Sequence, residues 1–161
     1  MPAYNFQPQF VPMILDRSKP HTIRRRRKKP TKVGDMLWLY VGQRTKKSLL
    51  IASAPCIDIE PILIYPTDMK IATPKGEMSV DAINRLSRRD GFEDTYAFFE
   101  FFKRYKQEIL VDFEIIWWSV KQLDVNPLAP IALSGTSPIS KPEMGEEEPG
   151  VCSLGYNWKA G

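Results

Sequence analysis

Between Arg17 and Lys32, nine of sixteen residues are Lys or Arg and none is acidic. A run this dense attracts phosphate, because each neutralised phosphate releases a counterion, largely without regard to base sequence. Arg17, Lys19, Arg24, Arg25, Arg26, Arg27, Lys28 and Lys29 are the candidate contacts, with Lys46, Lys47, Arg88 and Arg89 able to extend the patch. In an extended strand Arg24 and Arg26 share one face, and Arg25 and Arg27 the other. One pair then lines a cleft while the other meets solvent or a second surface. A merely solvated face is the alternative, but the missing acids favour a nucleic acid or nucleotide. Trp38, Tyr40 and Phe92 carry the π-faces on which a single-stranded base stacks, although all three also suit a hydrophobic core.

Other chemistries are poorly supplied. There is one histidine, His21, and the two cysteines, Cys56 and Cys152, lie far apart. No CxxC, HExxH or zinc-spaced cluster occurs, and no GxxxxGK[ST] or GxGxxG. Neither a metal nor a cofactor is expected. The sparse cysteines fit a reducing cytoplasm, and no apolar run is long enough to cross a bilayer. The net charge of +4 is unevenly divided. Residues 1–118 carry 20 Lys+Arg against 14 Asp+Glu, whereas residues 119–161 carry three Lys against five acids.

Several elements must position the basic run. Phe10, Met13 and Ile14 predict a short helix from about Pro8 to Asp16. Pro8 suits its first turn, and Pro12 is awkward inside it. His21 to Arg27 is a short extended segment, and Lys32-Val33-Gly34-Asp35 a turn. Met36 to Val41 is an apolar strand, with Trp38 and Tyr40 on one face and Leu37 and Leu39 on the other, both expected to be buried. Ser48 to Ile64 is interrupted at Pro55 and Pro61, which predicts two strand segments around a bend. Two short strands follow over Lys70 to Met78, turning at Pro74-Lys75-Gly76. Ser79 caps a helix from Val80 to about Arg88, and Asp90-Gly91 ends it. Asp94 opens another from Thr95 to about Lys106, with Phe98, Phe99, Phe102 and Tyr105 as its apolar stripe. Leu110 to Trp118 closes the domain, residues 1–118, as a strand. Residues 119–161 hold five prolines, five glycines and the acidic Glu146-Glu147-Glu148. They predict a flexible, disordered acidic tail whose aromatic end, Tyr156 and Trp158, is able to dock a protein partner, for example in phage–host contact.

The stretch FVPMILDRSKPHTIRRRRKKPTKVGDMLWLYVGQRT resembles the signature of ASCH-domain proteins, a branch of the PUA-like superfamily, whose members with such a long Arg/Lys run are typical of phage and bacterial genomes. The matching residues are Lys19, Thr22, Ile23 and Arg24, then Val33, Gly34 and Asp35. RLSRRDGFEDTYAFFEFFKRY is similar to the family's acidic-residue-plus-helix element, so the resemblance covers about residues 3–118. It implies an α+β fold, a PUA-like β-barrel of about six strands with short rim helices and a cleft between them. It also implies either an RNA- or nucleotide-binding module or a hydrolase. One subgroup removes the acetyl group from acetylcytidine-type nucleosides with a Lys, a Thr and a Glu, and ribonuclease activity has been attributed to another member. Lys19 and Thr22 match the first two as catalytic residues, and Asp90, one methylene shorter, stands for the Glu. Such chemistry needs a lysine whose pKa is lowered by desolvation or a neighbouring cation, for which Arg24 is placed.

Overall fold

In the computed structural model, which describes residues 1–130 and 132, the chain runs through β1 (Ala3–Phe6), a 3-10 turn (Pro8–Phe10), α1 (Val11–Leu15), β2 (His21–Arg25) and β3 (Met36–Val41). It continues through β4 (Leu49–Tyr65), β5 (Lys70–Thr73), β6 (Gly76–Glu77), α2 (Val80–Asp90), α3 (Thr95–Phe102), a second 3-10 turn (Lys103–Tyr105), β7 (Leu110–Trp118) and β8 (Asp124–Val125). The two prolines near the start divide the expected single helix. Pro8 opens the 3-10 turn, and Pro12 falls in the first turn of α1, where a missing N–H is harmless.

These strands form one mixed α+β arrangement, an eight-stranded, mostly antiparallel sheet with β4 at its centre. Among the described residues only β1 and β3 pair in parallel. The expected two segments of β4 are a single strand, and the prolines explain its division of labour. Up to Pro55 it pairs with β3, and from Cys56 onward with β7, with register shifts at Cys56/Asp58 and Ile62/Ile64. The described residues therefore hold eight strands rather than about six, two of them being the two-residue strands β6 and β8.

β7 is buried on both faces because two cores lie against it. Ile116 and Trp118 join Phe6, Phe10, Ile14, Leu37, Leu39 and Ile51 in one. Phe113 and Ile115 join Ile23, Ile64, Phe98 and Phe102, beneath α2 and α3, in the other. The helices start as their side chains dictate: Ser79 Oγ accepts from Ala82 N–H, and Asp94 Oδ1 from Ala97 N–H. α2 runs two residues past Arg88 and stops at Gly91, whose φ of 107° is left-handed. A Cβ at Gly91 would stand 2.3 Å from the Phe10 ring, so glycine also permits the close approach of α2 to the first 3-10 turn.

Two expectations are corrected. Trp38 and Tyr40 are not core: β1 and β3 turn Tyr4, Phe6, Leu39 and Val41 inward, leaving Trp38 and Tyr40 half-buried on the outer face with Ala3 and Asn5. Packed structure also continues past Trp118. Leu123 and Ala129 are buried, β8 pairs with β4, and Asn126 donates from its backbone to Ile51 O and from Nδ2 to Leu50 O. The segment 119–130, expected as tail, is thus stitched to the sheet. The acidic stretch and aromatic end expected of the tail lie outside the described residues. Among the described residues no helix is long and apolar enough to cross a membrane.

Candidate functional site

Lys19 is led inward by its backbone. After α1 the chain reverses through Arg17, whose φ of 69° is left-handed, and Lys19 N–H donates to Met13 O at 3.0 Å. The Lys19 side chain, 1 % exposed, passes between two rings, with Nζ 5.3 Å from the Phe10 centroid and 5.9 Å from that of Phe6. It ends at the C-terminus of α2. There Nζ donates to the Asp90 carbonyl at 2.6 Å and to Oδ1 at 2.8 Å. A cation at the negative end of a helix dipole, joined to a carboxylate on the same residue, is a sound way to bury an ammonium.

The residues predicted from the ASCH resemblance are only partly brought together. Lys19 and Asp90 touch. Thr22 is fully buried, and its Oγ1 accepts from Arg24 Nε at 3.1 Å; no hydrogen bond to Lys19 or Asp90 is found for it. Arg24 is the link. Its guanidinium lies 5.1 Å from the Phe6 centroid, the ring that also carries Lys19, and its charge is felt by both members of the pair. Burial pushes Lys19 below the ordinary ammonium range, Asp90 opposing and Arg24 adding to that push. Burial likewise raises the Asp90 carboxyl, against the charges of Lys19 and Arg24. A lysine moved toward neutrality beside a carboxyl better able to hold a proton is the pair that proton transfer requires.

Two further residues that the sequence did not single out lie here. His21 is fully buried on β2, its ring tilted over Trp117 at 4.5 Å, with Nε2 3.7 Å from Asp90 Oδ1. Glu114, buried on β7 opposite Arg24, accepts from Arg26 Nε at 3.3 Å. Both nitrogens of His21, Asp90 Oδ2, Glu114 Oε1 and Trp118 Nε1 are buried without a hydrogen-bond partner among the described residues. Unmet hydrogen-bonding capacity is therefore gathered around one short stretch of β2 and β7.

The His21 imidazole is held well below its ordinary pKa, first by burial and then by the charges of Lys19 and Arg89. The unfolded chain binds a proton there that the native state refuses, so its stabilising effect is present above about pH 6.5 and lost as pH falls. Stability should drop by up to about 1.4 kcal/mol per pH unit below that point. Denaturant titrations from pH 7.5 to 5.5 should show this slope reduced in His21→Leu; equal slopes in both proteins would mean that His21 protonates freely in the native state.

The remaining cations occupy the surface. Arg17 is exposed and caps the segment after β7, donating from Nη1 to Val120 O at 2.5 Å. Arg25 pairs with Asp112 at 2.9 Å, and its guanidinium lies 5.1 Å from the Tyr105 centroid. Strict alternation puts Arg27 beside Arg25, but β2 ends at Arg25. Arg27 instead lies over the Tyr4 ring at 5.3 Å and donates to Ala3 O at 3.3 Å. Arg24 Nη2 donates to Asn5 O at 2.7 Å, so both arginines reach carbonyls of β1, crossing a seam at which no backbone ladder joins β1 to β2. Lys28 and Lys29 are exposed, without an ion pair among the described residues. The chain matches no family model, no curated protein and no solved structure.

Proposed function

We propose that this protein binds RNA or a nucleotide through the exposed cations Arg25–Lys29 and the arginine-bridged seam beside them. The observation that carries this reading is that five consecutive cations, Arg25 to Lys29, are all exposed, with Lys28 and Lys29 uncommitted to any acid among the described residues. Arg24, Arg25, Arg26 and Arg27 are already engaged by Asn5 O, Asp112, Glu114 and Ala3 O. The two lysines are the free phosphate contacts, and the arginines are the contacts a phosphate wins by exchange. In this reading the β1–β2 seam is the closure of a PUA-like barrel, made by side chains where a ladder is missing.

The second reading, an amidohydrolase acting on acetylcytidine-type nucleosides, is favoured by the Lys19–Asp90 contact of 2.8 Å. Lys19 would serve as base, Asp90 as proton carrier and Arg24 as the cation that lowers the lysine. The complete burial of Lys19, Thr22 and Asp90 requires the seam to open before any substrate arrives.

One set of variants separates the two. Affinity for a labelled single-stranded RNA is expected to fall by about 0.7 log units per log unit of salt for each phosphate engaged. Lys28→Gln with Lys29→Gln should lower that slope by about 1.4. No acetylcytidine turnover is expected. Deacetylation lost in Lys19→Arg, which keeps the charge but cannot give up its proton, would transfer the function to the second reading. A salt slope untouched by the lysine changes would reduce the run to a solvated surface.

A further inference from the structure

On the outer face of β1 and β3, Trp38 and Tyr40 stand two residues apart on the same side of the strand. With Met1, Ala3 and Gln43 they line a depression of about 290 Å³. This is the low end of small-molecule pockets, which run from roughly 300 Å³, and it suits part of a larger ligand. Trp38 Nε1 donates to Met1 Sδ at 3.1 Å, which fixes one edge of the indole. Gln43 N–H donates to Asn5 Oδ1 at 2.7 Å and ties the far end of the depression to β1.

Cations occur at one end of this aromatic surface and across the free edge of β1, where Arg27 lies over the inward-facing Tyr4 ring. The Arg27 guanidinium rests on Ala3 O, and Ala3 is itself a lining residue. Strands lie about 4.8 Å apart, so only the width of β1 separates Arg27 from the strand bearing the two rings. At the far end the chain leaves Gln43 directly into exposed Arg44, Lys46 and Lys47. An aromatic pair with exposed cations following it in the chain, and the run at Arg25–Lys29 across the edge of β1, matches the chemistry of a single-stranded nucleic acid: phosphates toward the cations, bases on the rings.

We propose that Trp38 and Tyr40 form a base-stacking platform for single-stranded RNA, whose backbone is held by Arg27–Lys29 on one side and by Lys46 and Lys47 on the other. This inference rests on the reading of the basic run as a phosphate contact and adds the element that recognises single strands. A duplex hides its base faces, so the platform distinguishes single-stranded from double-stranded RNA of equal charge.

The test uses the full chain, a labelled oligouridine and a matched RNA duplex. Trp38→Ala and Tyr40→Ala should each weaken oligouridine binding by about five- to a hundredfold, with the salt slope unchanged because no phosphate contact is lost. Trp38→Phe should recover most of the affinity, which excludes a general folding defect, and duplex binding should be little altered in all three. Salt-dependent binding by wild type that neither alanine variant weakens overturns the platform and leaves the phosphate reading standing; a face that serves a protein partner instead gives that same result. Absence of salt-dependent RNA binding in the wild type overturns both. Equal losses for oligouridine and duplex also overturn the platform, since stacking on exposed bases would not produce them.

Discussion

Lys19→Met should destabilise the protein by about 3–5 kcal/mol, because it leaves the Asp90 carboxyl buried without its cation. Asp90→Leu should cost about as much, by stranding the ammonium. The double variant is expected to recover most of the loss, since apolar residues of similar volume commonly replace a buried ion pair at little net cost. Set against a domain stability of about 5–15 kcal/mol, either single change is severe. Denaturant melts of the four proteins form a double-mutant cycle whose coupling should exceed about 2 kcal/mol. A loss below about 1 kcal/mol in both single variants would mean that neither group carries its charge in the fold. Recovery in the double variant would show that the pair contributes little which Met and Leu do not, and would direct attention to its proton chemistry.

Truncation after Gln122 should cost on the order of 3 kcal/mol. Burial of the Leu123 side chain accounts for about 2–3 kcal/mol, and the β8 ladder and the two Asn126 hydrogen bonds to β4 add to it. For a domain of this size that corresponds to a fall in Tm of at least about 8 °C. A thermal melt of the 1–122 chain decides the matter; a Tm within about 2 °C of the full chain would make β8 a passenger.

The elements were largely legible in the sequence, because their signals are local. Ser79, Asp94 and Gly91 mark helix ends through their own hydrogen-bonding and φ preferences, and Met36–Val41 is apolar enough to be a strand in any fold. What escaped depends on partners distant in sequence. Trp38 and Tyr40 look like core until β1 is known to pair with β3 and to direct Tyr4 and Phe6 inward. Residues 119–130 are proline-bearing and low in periodicity, and their place on the sheet is set by β4, some seventy residues earlier. In the site, Lys19 and Asp90 were paired through the family resemblance, whereas no local pattern marks His21 as fully buried. The burial of Glu114 follows from its position opposite Arg24 on a strand covered on both faces. Arg27 was misassigned for a simple reason: alternation holds only while the strand lasts, and β2 stops two residues sooner.

The hub position of β4 also governs the order in which the protein can assemble. Its neighbours are β3, β5, β7 and β8, and the last of them is synthesised about sixty residues after β4 itself ends. A growing chain carries β4 with its β3 side satisfied, while the edge awaiting β7 and β8 stays open. Such non-local pairing places folding toward the millisecond-to-second range rather than the microseconds of helical bundles. Until Trp118 and Val125 arrive, an apolar strand of seventeen residues offers unpaired backbone to any other extended chain. Pro55 and Pro61, which lack the N–H that such a ladder needs, interrupt that edge during the wait.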